Sequence, residues 1–269
     1  MDHATGADGR IEIHRDGGRL DIVIDNPARK NAMTVEMIDA ITAAITAAAF
    51  DDAMRVVVLR STGNDFCTGI DLAQSNESDG KPRVGHLQRR MQSGSHGMIR
   101  ALRETQLPVV AGVSGWAAGV GNALALSADI VVADESAQFW VPFVGKGFSP
   151  DSANSYLLPR LIGTARAKEM IMRAKPVPAE TALQWGMISQ VVAVGELDAA
   201  VDAIAAEFAT AATIAVGLAK TLIHRNVDSD LTSALQNEAI YEELAVRSDD
   251  FKEGMRAFVQ RRPPEFTGR

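Results

Sequence analysis

An uncharged run of 20 residues, from Val109 to Ala128, constrains the fold of this 269-residue chain more than any other feature. The run is long enough to span a bilayer. It is poor in large aliphatic side chains, however, and its small or polar residues are Gly112, Ser114, Gly115, Gly119, Gly121, Asn122 and Ser127. Pro108 precedes the run and Asp129 follows it. We therefore predict a buried strand, a glycine turn and a buried helix, with no membrane partner.

The composition is that of a globular protein and narrows the possible classes of function. Hydrophobic residues make up 46% of the chain and charged residues 23%. The 27 basic against 34 acidic residues give a net charge of −7, which argues against a general nucleic-acid binder. The first ten residues contain no apolar segment, so we expect no secretory signal and a cytoplasmic protein.

Neither the cysteine nor the histidines form a recognisable site. Cys67 is the single cysteine, which excludes an intramolecular disulfide and a cysteine-rich zinc site. We predict that it is a small buried residue and not a catalytic thiol. His86 and His96 share one predicted helix, but their separation of ten positions is poor for ligands, so we interpret both as surface or packing residues. No metal site is expected.

Hydrophobic periodicity predicts an α/β body followed by a helical C-terminal region. Strands are predicted at 11–14, 20–24, 56–60, 109–113, 130–133 and 138–140. The first two are predicted to form a hairpin, because Asp16, Gly17 and Gly18 lie between them. Helices are predicted at 35–50, 84–103, 122–127, 197–210, 214–225, 231–246 and 249–260. The polar segment 75–85 is predicted to be a mobile loop. The sequence from Pro150 to Ser152 is predicted to begin another helix, because Asp and Ser accept hydrogen bonds from free amides at helix N-termini.

The glycine turn allows three interpretations. Gly119 and Gly121 match the start of a dinucleotide-binding turn, but Leu124 replaces the third glycine and no acidic residue lies about 20 positions further on. The glycines could instead permit close backbone packing. In the third interpretation, backbone amides at the start of a helix face a developing negative charge, as in an oxyanion hole. The surrounding residues include no nucleophile-elbow motif, so Ser114 has weak standing as a nucleophile.

Two segments together resemble the signature stretches of the crotonase (enoyl-CoA hydratase/isomerase) superfamily. They are Asp65–Leu72, with sequence DFCTGIDL, and Val113–Asn122, with sequence VSGWAAGVGN. Further matches to the family follow in the expected order at 26–34, 150–152, 158–163, 185–188, 251–254, 257–258 and 261–266. The resemblance covers nearly the whole chain, and several motifs in the right order are stronger evidence than any one of them.

The resemblance implies a fold, a ligand and an assembly. The fold would be α/β, a ClpP/crotonase-like spiral of ββα turns, with an acyl-CoA-binding core at 1–195 and a helical C-terminal trimerisation region at 196–269. The substrate would be a coenzyme A thioester, as in fatty acid metabolism, with no bound cofactor. The chain would form a homotrimer or a dimer of trimers.

The resemblance also assigns a carbonyl-binding site, and it shows where this sequence departs from the hydratases. Members of the family polarise the thioester carbonyl between two backbone amides, which map to Ile70 and Val120. Hydratases use two glutamates, and the matching positions here are Ala123 and Phe143. Neither side chain transfers protons, so we expect a drier pocket and no efficient hydration by the family mechanism.

One acid remains in a matching position. Asp151 corresponds to the catalytic acid of the Δ3,Δ2-enoyl-CoA isomerases and of the epoxyphenylacetyl-CoA isomerases, which indicates an acyl-CoA isomerase with a single proton shuttle. Phe143 and Phe148 should raise its pKa. The alternative for this residue is a helix cap. Alternatives for the protein are a hydratase-like enzyme with displaced acid and base groups, or a catalytically silent CoA-binding protein.

The coenzyme A contacts implied by the resemblance come from three parts of the chain. Arg29 and Lys30 are candidates for the phosphates, and against a net charge of −7 they would supply the positive field. The candidates near the adenine are Thr68, Ile70 and Leu72. Phe258 and Arg261 would reach a neighbouring subunit. Solvated charge and trimer packing are the alternative roles for these residues.

Overall fold

In the computed structural model, the described residues are 2–6, 9–71 and 83–269, with the backbone alone described for 2–6. Ten strands within them form a seven-stranded sheet of order β1-β2-β3-β4-β5-β7-β10 and a three-stranded sheet of order β6-β8-β9. The strands are β1 Asp2–Gly6, β2 Gly9–Asp16, β3 Arg19–Asp25, β4 Val56–Ser61, β5 Val109–Val113, β6 Trp116–Ala118, β7 Ile130–Asp134, β8 Gln138–Trp140, β9 Val177–Pro178 and β10 Gln190–Val192.

The large sheet is antiparallel at one edge and parallel elsewhere. β2 and β3 form the predicted hairpin, turning at Gly17 and Gly18, both of which have positive φ. From β3 onward the pairs β3–β4, β4–β5, β5–β7 and β7–β10 are parallel. Parallel neighbours need crossover connections, and helices supply most of them here. This confirms the α/β class.

The helices cover both faces of the sheet and then continue beyond it. In chain order they are α1 Val35–Ala49, α2 His86–Ser93, α3 Ser95–Glu104, α4 Val120–Leu126, α5 Asn154–Arg173, α6 Ala179–Gln184, α7 Leu197–Thr210, α8 Thr213–Asn226, α9 Leu231–Ala245 and α10 Asp249–Gln260. The last four match the predicted C-terminal helices within one or two residues.

Alternation along β4 divides the core into two layers. Val57 and Leu59 face the main core, which α1, α3 and α4 help to build. Val56 and Val58 face the opposite side, where Val201 of α7 packs. The sequence of a strand that is buried on both faces is a continuous run of aliphatic residues, and β4 has such a run.

The uncharged run has the predicted strand, glycine turn and buried helix, and a short second strand that was not predicted. Its first residues form β5, its middle forms β6 and the glycine turn, and its end forms α4, which is wholly buried. In the described part of the chain, no single helix has the length and hydropathy to cross a membrane. One pair of helices, α7 and α8, meets those criteria jointly but is bent by 109°.

Several predicted boundaries were wrong. The helix predicted at 84–103 is two helices, because Gly94 has ψ −108 and interrupts the hydrogen-bonded turns. α4 begins at Val120, two residues earlier than predicted. The strands β1, β6, β9 and β10 and the helix α6 were not predicted. The predicted loop at 75–85 lies largely outside the described residues.

Candidate active site

The two signature segments run side by side and are joined by backbone hydrogen bonds. The Phe66 amide donates to the Ser114 carbonyl (2.8 Å), and the Cys67 amide donates to the Trp116 carbonyl (2.9 Å). The Ala118 amide returns a bond to the Cys67 carbonyl (2.8 Å). A Cβ added at Gly121 would lie 2.2 Å from the Cys67 oxygen, so only glycine fits this approach.

The Val120 amide lies at the start of α4, where no preceding turn can accept its proton. Gly119 turns the chain with φ 58 and ψ −116, a conformation that glycine adopts readily. The Gly119 amide is fixed by the Trp140 carbonyl at 2.9 Å. Within the described part of the chain, the Val120 amide donates no hydrogen bond. It is therefore available to a carbonyl oxygen.

The Ile70 amide is left available by a different arrangement. Ile70 forms an isolated parallel bridge with Met33, in which the Met33 amide donates to the Gly69 carbonyl (2.8 Å) and the Asp71 amide donates to the Met33 carbonyl (2.9 Å). Successive amides of an extended segment point to opposite sides, so the Ile70 amide faces away from Met33. It too has no acceptor among the described residues.

Asp151 lies in the loop before α5 and does not cap that helix. The helix begins at Asn154, after Ala153 in a left-handed conformation, and no side chain accepts from its first amides. The Ser152 hydroxyl instead donates to the Asp151 carboxylate at 2.8 Å. The helix-cap alternative is therefore wrong, and the carboxylate has one oxygen that Ser152 does not hold.

The pKa of Asp151 is raised, as predicted. Burial is the largest cause, and it is partly offset by the hydrogen bond from Ser152 and by the charge of His96. The Nε2 atom of His96 is buried and has no hydrogen-bond partner among the described residues. His96 was interpreted from the sequence as a surface or packing residue, but its charge acts on Asp151. His86 is exposed, as expected.

The two residues that the resemblance matches to the hydratase glutamates, Ala123 and Phe143, are apolar and close to the glycine turn. Ala123 is fully buried in α4. The Phe143 ring lies against the glycine turn, 3.6 Å from where a Cβ of Gly119 would stand. Cys67 is also fully buried, and burial raises the pKa of its thiol to about 12, so it is not a reactive thiolate.

The loop after β3 is built around a buried asparagine. The side-chain oxygen of Asn31 accepts from the Asn26 amide (2.7 Å), and its nitrogen donates to the Thr62 carbonyl (2.7 Å). Lys30 next to it is exposed, and its carbonyl accepts from the Thr68 amide (3.2 Å) and hydroxyl (3.0 Å). The loop is therefore joined to the segment that carries Ile70.

The remaining predicted contacts fall in three places. Arg29 pairs with the buried Asp71 at 2.6 Å, so its charge is shared with a carboxylate. Leu72 lies outside the described residues. Phe258 is 80% exposed near the end of α10, and Arg261 follows that helix. No described contact joins Phe258 or Arg261 to the segments around Ile70, Val120 or Asp151 within one chain.

Comparison with known proteins agrees with this geometry. The family model of the enoyl-CoA hydratase/isomerases matches residues 15–269. The chain belongs to the enoyl-CoA hydratase/isomerase family. It is therefore an enzyme of the crotonase superfamily, as the sequence motifs indicated.

Relatives in this family carry both activities in their names. The 1,2-epoxyphenylacetyl-CoA isomerase of Escherichia coli (strain K12) is 35% identical over 259 residues, which cover 96% of this chain and 98% of the relative. A Rhodobacter capsulatus protein named "Probable enoyl-CoA hydratase" is also 35% identical, over 97% of this chain and 98% of its own. The crystal structure of an enoyl-CoA hydratase from Bacillus anthracis matches with a TM-score of 0.90 at 27% identity, covering 96% and 99% of the two chains.

Sequence reasoning missed three residues of this enoyl-CoA hydratase/isomerase site. Asn122 and Asn154 are both fully buried and joined side chain to side chain, at 2.7 Å. Their positions immediately beside the glycine turn and Asp151 were visible in the sequence, but their pairing was not. His96 was rejected as a metal ligand and interpreted as a surface or packing residue, because its spacing along a helix does not show that it approaches Asp151.

Proposed function

We propose that this protein is an acyl-CoA isomerase that shifts a double bond in an enoyl-CoA thioester, with Asp151 as its single proton shuttle. The observation that carries the proposal is the combination of one half-buried carboxylate of raised pKa, Asp151, with apolar residues at both positions that the resemblance matches to the hydratase glutamates. The Asp151 loop and the glycine turn are neighbours, because one side-chain nitrogen of Asn154 donates to the carbonyls of both Asp151 and Gly119.

The chemistry needs one base and one oxyanion hole. The Asp151 carboxylate takes a proton from C2 of a 3-enoyl thioester, and the electrons move onto the thioester oxygen as a dienolate. The amides of Ile70 and Val120 donate to that oxygen, which stabilises the charge where it develops. Asp151 then returns the proton to C4, giving the 2-enoyl thioester. No atom is gained or lost, so no water is required.

Hydration has poorer support from the same geometry. Adding water across the double bond requires a group to activate the water and a group to protonate the carbon. Ala123 and Phe143 supply neither. A half-buried carboxyl with a raised pKa, such as Asp151, is suited to moving a proton between two carbons near neutral pH.

The substrate and assembly complete the proposal. Lys30 and Arg29 are proposed to contact the phosphates of coenzyme A, and Arg29 does so while paired with Asp71. Thr68 and Ile70 are proposed to lie near the adenine, as is Leu72, which is outside the described residues. Phe258 and Arg261 are proposed to reach the site of a neighbouring subunit in a homotrimer or a dimer of trimers. No bound cofactor enters the reaction.

The test compares two thioesters and one variant. The purified protein is incubated separately with a 3-enoyl-CoA and a 2-enoyl-CoA in deuterated water, and the products are followed by mass spectrometry. We expect a shift of the double bond in the first thioester, with slow exchange of deuterium at C2 or C4. Asp151→Asn should slow the shift by about 100-fold or more, since general acid–base groups contribute about that factor.

Asp39→Asn is the matched control, because Asp39 is exposed on α1 and takes no part in the site. Its rate should equal that of the wild type. Rapid formation of 3-hydroxyacyl-CoA from the 2-enoyl thioester would show the hydratase alternative instead. Binding of both thioesters without any reaction would show the silent CoA-binding alternative.

A further inference from the structure

A buried pair of amides links the glycine turn to the Asp151 loop. The side-chain nitrogen of Asn154 donates to the Gly119 carbonyl at 3.1 Å and to the Asp151 carbonyl at 3.0 Å. The side-chain nitrogen of Asn122 donates to the oxygen of Asn154 at 2.7 Å. Both asparagine side chains are fully buried. Buried amides of this kind are costly unless they are hydrogen-bonded, so a definite arrangement is required here.

The Gly119 carbonyl belongs to the same peptide unit as the Val120 amide. A peptide unit is planar, so a hydrogen bond that fixes its oxygen also fixes the direction of its N–H. A donor on the oxygen side polarises the unit and strengthens the N–H as a donor on the other side. The Gly119 oxygen also accepts from the Ala123 amide of α4 at 3.2 Å. Asn154 therefore acts together with that helical hydrogen bond on the direction and the strength of the amide that faces the thioester carbonyl, and it is the contact that ties this amide to the Asp151 loop.

The orientation of the Asn154 amide is set from both ends. Its nitrogen has two carbonyl acceptors, which use both of its hydrogens. Its oxygen is then the end that faces Asn122, and Asn122 donates to it. The backbone amide of Asn154 adds a further bond to the Asp151 carbonyl at 3.0 Å. Asn122 thus holds Asn154 in the only orientation that serves both carbonyls.

We propose that Asn154 is a positioning residue, oriented by Asn122, that fixes the Val120 amide relative to Asp151. This inference rests on the oxyanion hole of the proposed function. The pair holds the base on one side and the oxyanion donor on the other at a constant separation while a proton leaves C2. Neither asparagine touches the reacting atoms, and both act through the backbone of Gly119 and Asp151.

The test uses Asn154→Ala, with Asn122→Ala as a second variant that removes only the orienting bond. For isomerisation of a 3-enoyl-CoA, we expect kcat to fall by about 10- to 100-fold in Asn154→Ala, as for a small misplacement of a catalytic group, while KM changes by less than about 3-fold. Asn122→Ala should show a smaller fall in kcat in the same direction. If Asn154→Ala does not fold, Asn122→Ala keeps the proposal testable.

A spectroscopic readout separates positioning from structural support. Acetoacetyl-CoA loses a C2 proton to give an enolate whose charge lies partly on the thioester oxygen, and the enolate absorbs in the ultraviolet. Acetoacetyl-CoA that is bound to the wild-type protein should favour the enolate form. At saturation, the absorbance of the enolate should be lower with either asparagine variant. Binding of butyryl-CoA, which forms no such enolate, should change by less than about 3-fold.

Ser127→Ala is the matched control. Ser127 lies at the other end of α4, is buried, and donates to the Ala123 carbonyl at 2.7 Å without contacting Gly119 or Asp151. It should lower stability but leave the enolate absorbance and kcat unchanged. The proposal is overturned if the asparagine variants behave like Ser127→Ala, or if they weaken both thioesters equally. A changed enolate absorbance in a protein that shifts no double bond would keep this inference and reject the isomerase.

Discussion

Asp151 is subject to opposing influences from its neighbours. Burial favours the neutral acid, whereas the Ser152 hydroxyl and the charge of His96 favour the carboxylate. The base must be ionised before it can take a proton, and it must be basic enough to take one from carbon. Two conditions therefore apply to the Asp151 loop. Burial has to raise the pKa of the carboxyl group, and a few hydrogen-bond or charge partners have to keep that pKa low enough for the group to ionise.

His96 should shift the position of the acid limb of the pH profile, although burial and the Ser152 hydroxyl are the larger influences on the pKa of Asp151. Activity through Asp151 rises as pH increases through the pKa of its carboxyl group. Removing a positive charge in His96→Gln leaves burial less opposed, so the pKa of Asp151 should rise. The acid limb of kcat/KM should then move to higher pH, as measured over pH 4 to 8 with a 3-enoyl-CoA.

Two variants make this measurement specific to charge. His96→Lys keeps a positive charge, so its acid limb should stay near that of the wild type. His86→Gln changes an exposed histidine on the preceding helix and should have no effect. An unchanged limb in His96→Gln, with activity still dependent on Asp151, would contradict the assigned influence of His96.

Gly121 should tolerate no side chain at all. In Gly121→Ala the new Cβ would stand 2.2 Å from the Cys67 oxygen, so the two signature segments would have to separate. Overpacking of this kind costs about 1–3 kcal/mol of stability. The same movement displaces the Val120 amide, and kcat should fall by about 100-fold. Denaturant unfolding and steady-state kinetics check the two effects separately.

Gly97→Ala is the appropriate comparison for Gly121→Ala. A Cβ at Gly97, inside α3, would meet the Gln92 oxygen at an ordinary 3.6 Å. Alanine is the better helix former, so this variant should be as stable as the wild type or slightly more stable. Equal effects of the two substitutions would show that close approach of the signature segments is not the cause.

At the scale of elements, the sequence predicted periodic features well and tertiary contacts poorly. The hairpin, β4, β5 and the C-terminal helices follow from local patterns of apolar residues, and they were confirmed. β9 and β10 are only two or three residues long, so they contain too few residues to show a period. The pairing of Asn122 with Asn154 joins residues 32 positions apart, which a local pattern does not contain. Gly94 was visible inside the predicted helix, but a single glycine does not by itself end a helix.

α8 is fastened to the sheet by a buried lysine. The Lys220 ammonium donates to the carbonyls of Leu102 and Leu107, both at 3.0 Å, and pairs with Asp129 at 2.8 Å. Asp129 in turn accepts from the Val109 amide at the start of β5 (2.8 Å). Burial lowers the pKa of Lys220, and Asp129 opposes this effect. All three donors of the ammonium are therefore used.

Lys220→Met should be strongly destabilising. It removes one partner of a buried ion pair and leaves two carbonyls without a donor, which together cost about 3–5 kcal/mol. Urea unfolding at one fixed protein concentration measures the change. Lys252→Met, which breaks an exposed pair with Asp249 on α10, should change stability by less than about 0.5 kcal/mol. Equal losses would contradict the anchoring role.

For the whole molecule, the surface of the last two helices is the most conspicuous feature. α9 and α10 expose large apolar side chains, and α9 has no buried residue in the single chain. The exposed members are Leu231, Leu235, Ile240, Leu244, Phe251, Met255, Phe258 and Val259. A concentration of exposed apolar side chains on this scale is typical of a surface that another protein covers. We take that protein to be a second copy of this chain.

Charge at Phe258 should dissociate the proposed trimer. Phe258 is 80% exposed in the single chain, and burying an aspartate in its place against a neighbouring subunit would be unfavourable. We expect light scattering of the eluted protein to give the mass of a trimer or hexamer for the wild type. Phe258→Asp should shift that mass towards the monomer. If the neighbour contributes to the site, KM for the thioester should rise by about 10-fold or more. Phe50→Asp is the control, since Phe50 is 87% exposed at the end of α1 and belongs to neither of these helices. A wild-type monomer, or a trimer that survives Phe258→Asp with normal KM, would contradict the assembly and the role of Phe258 in it.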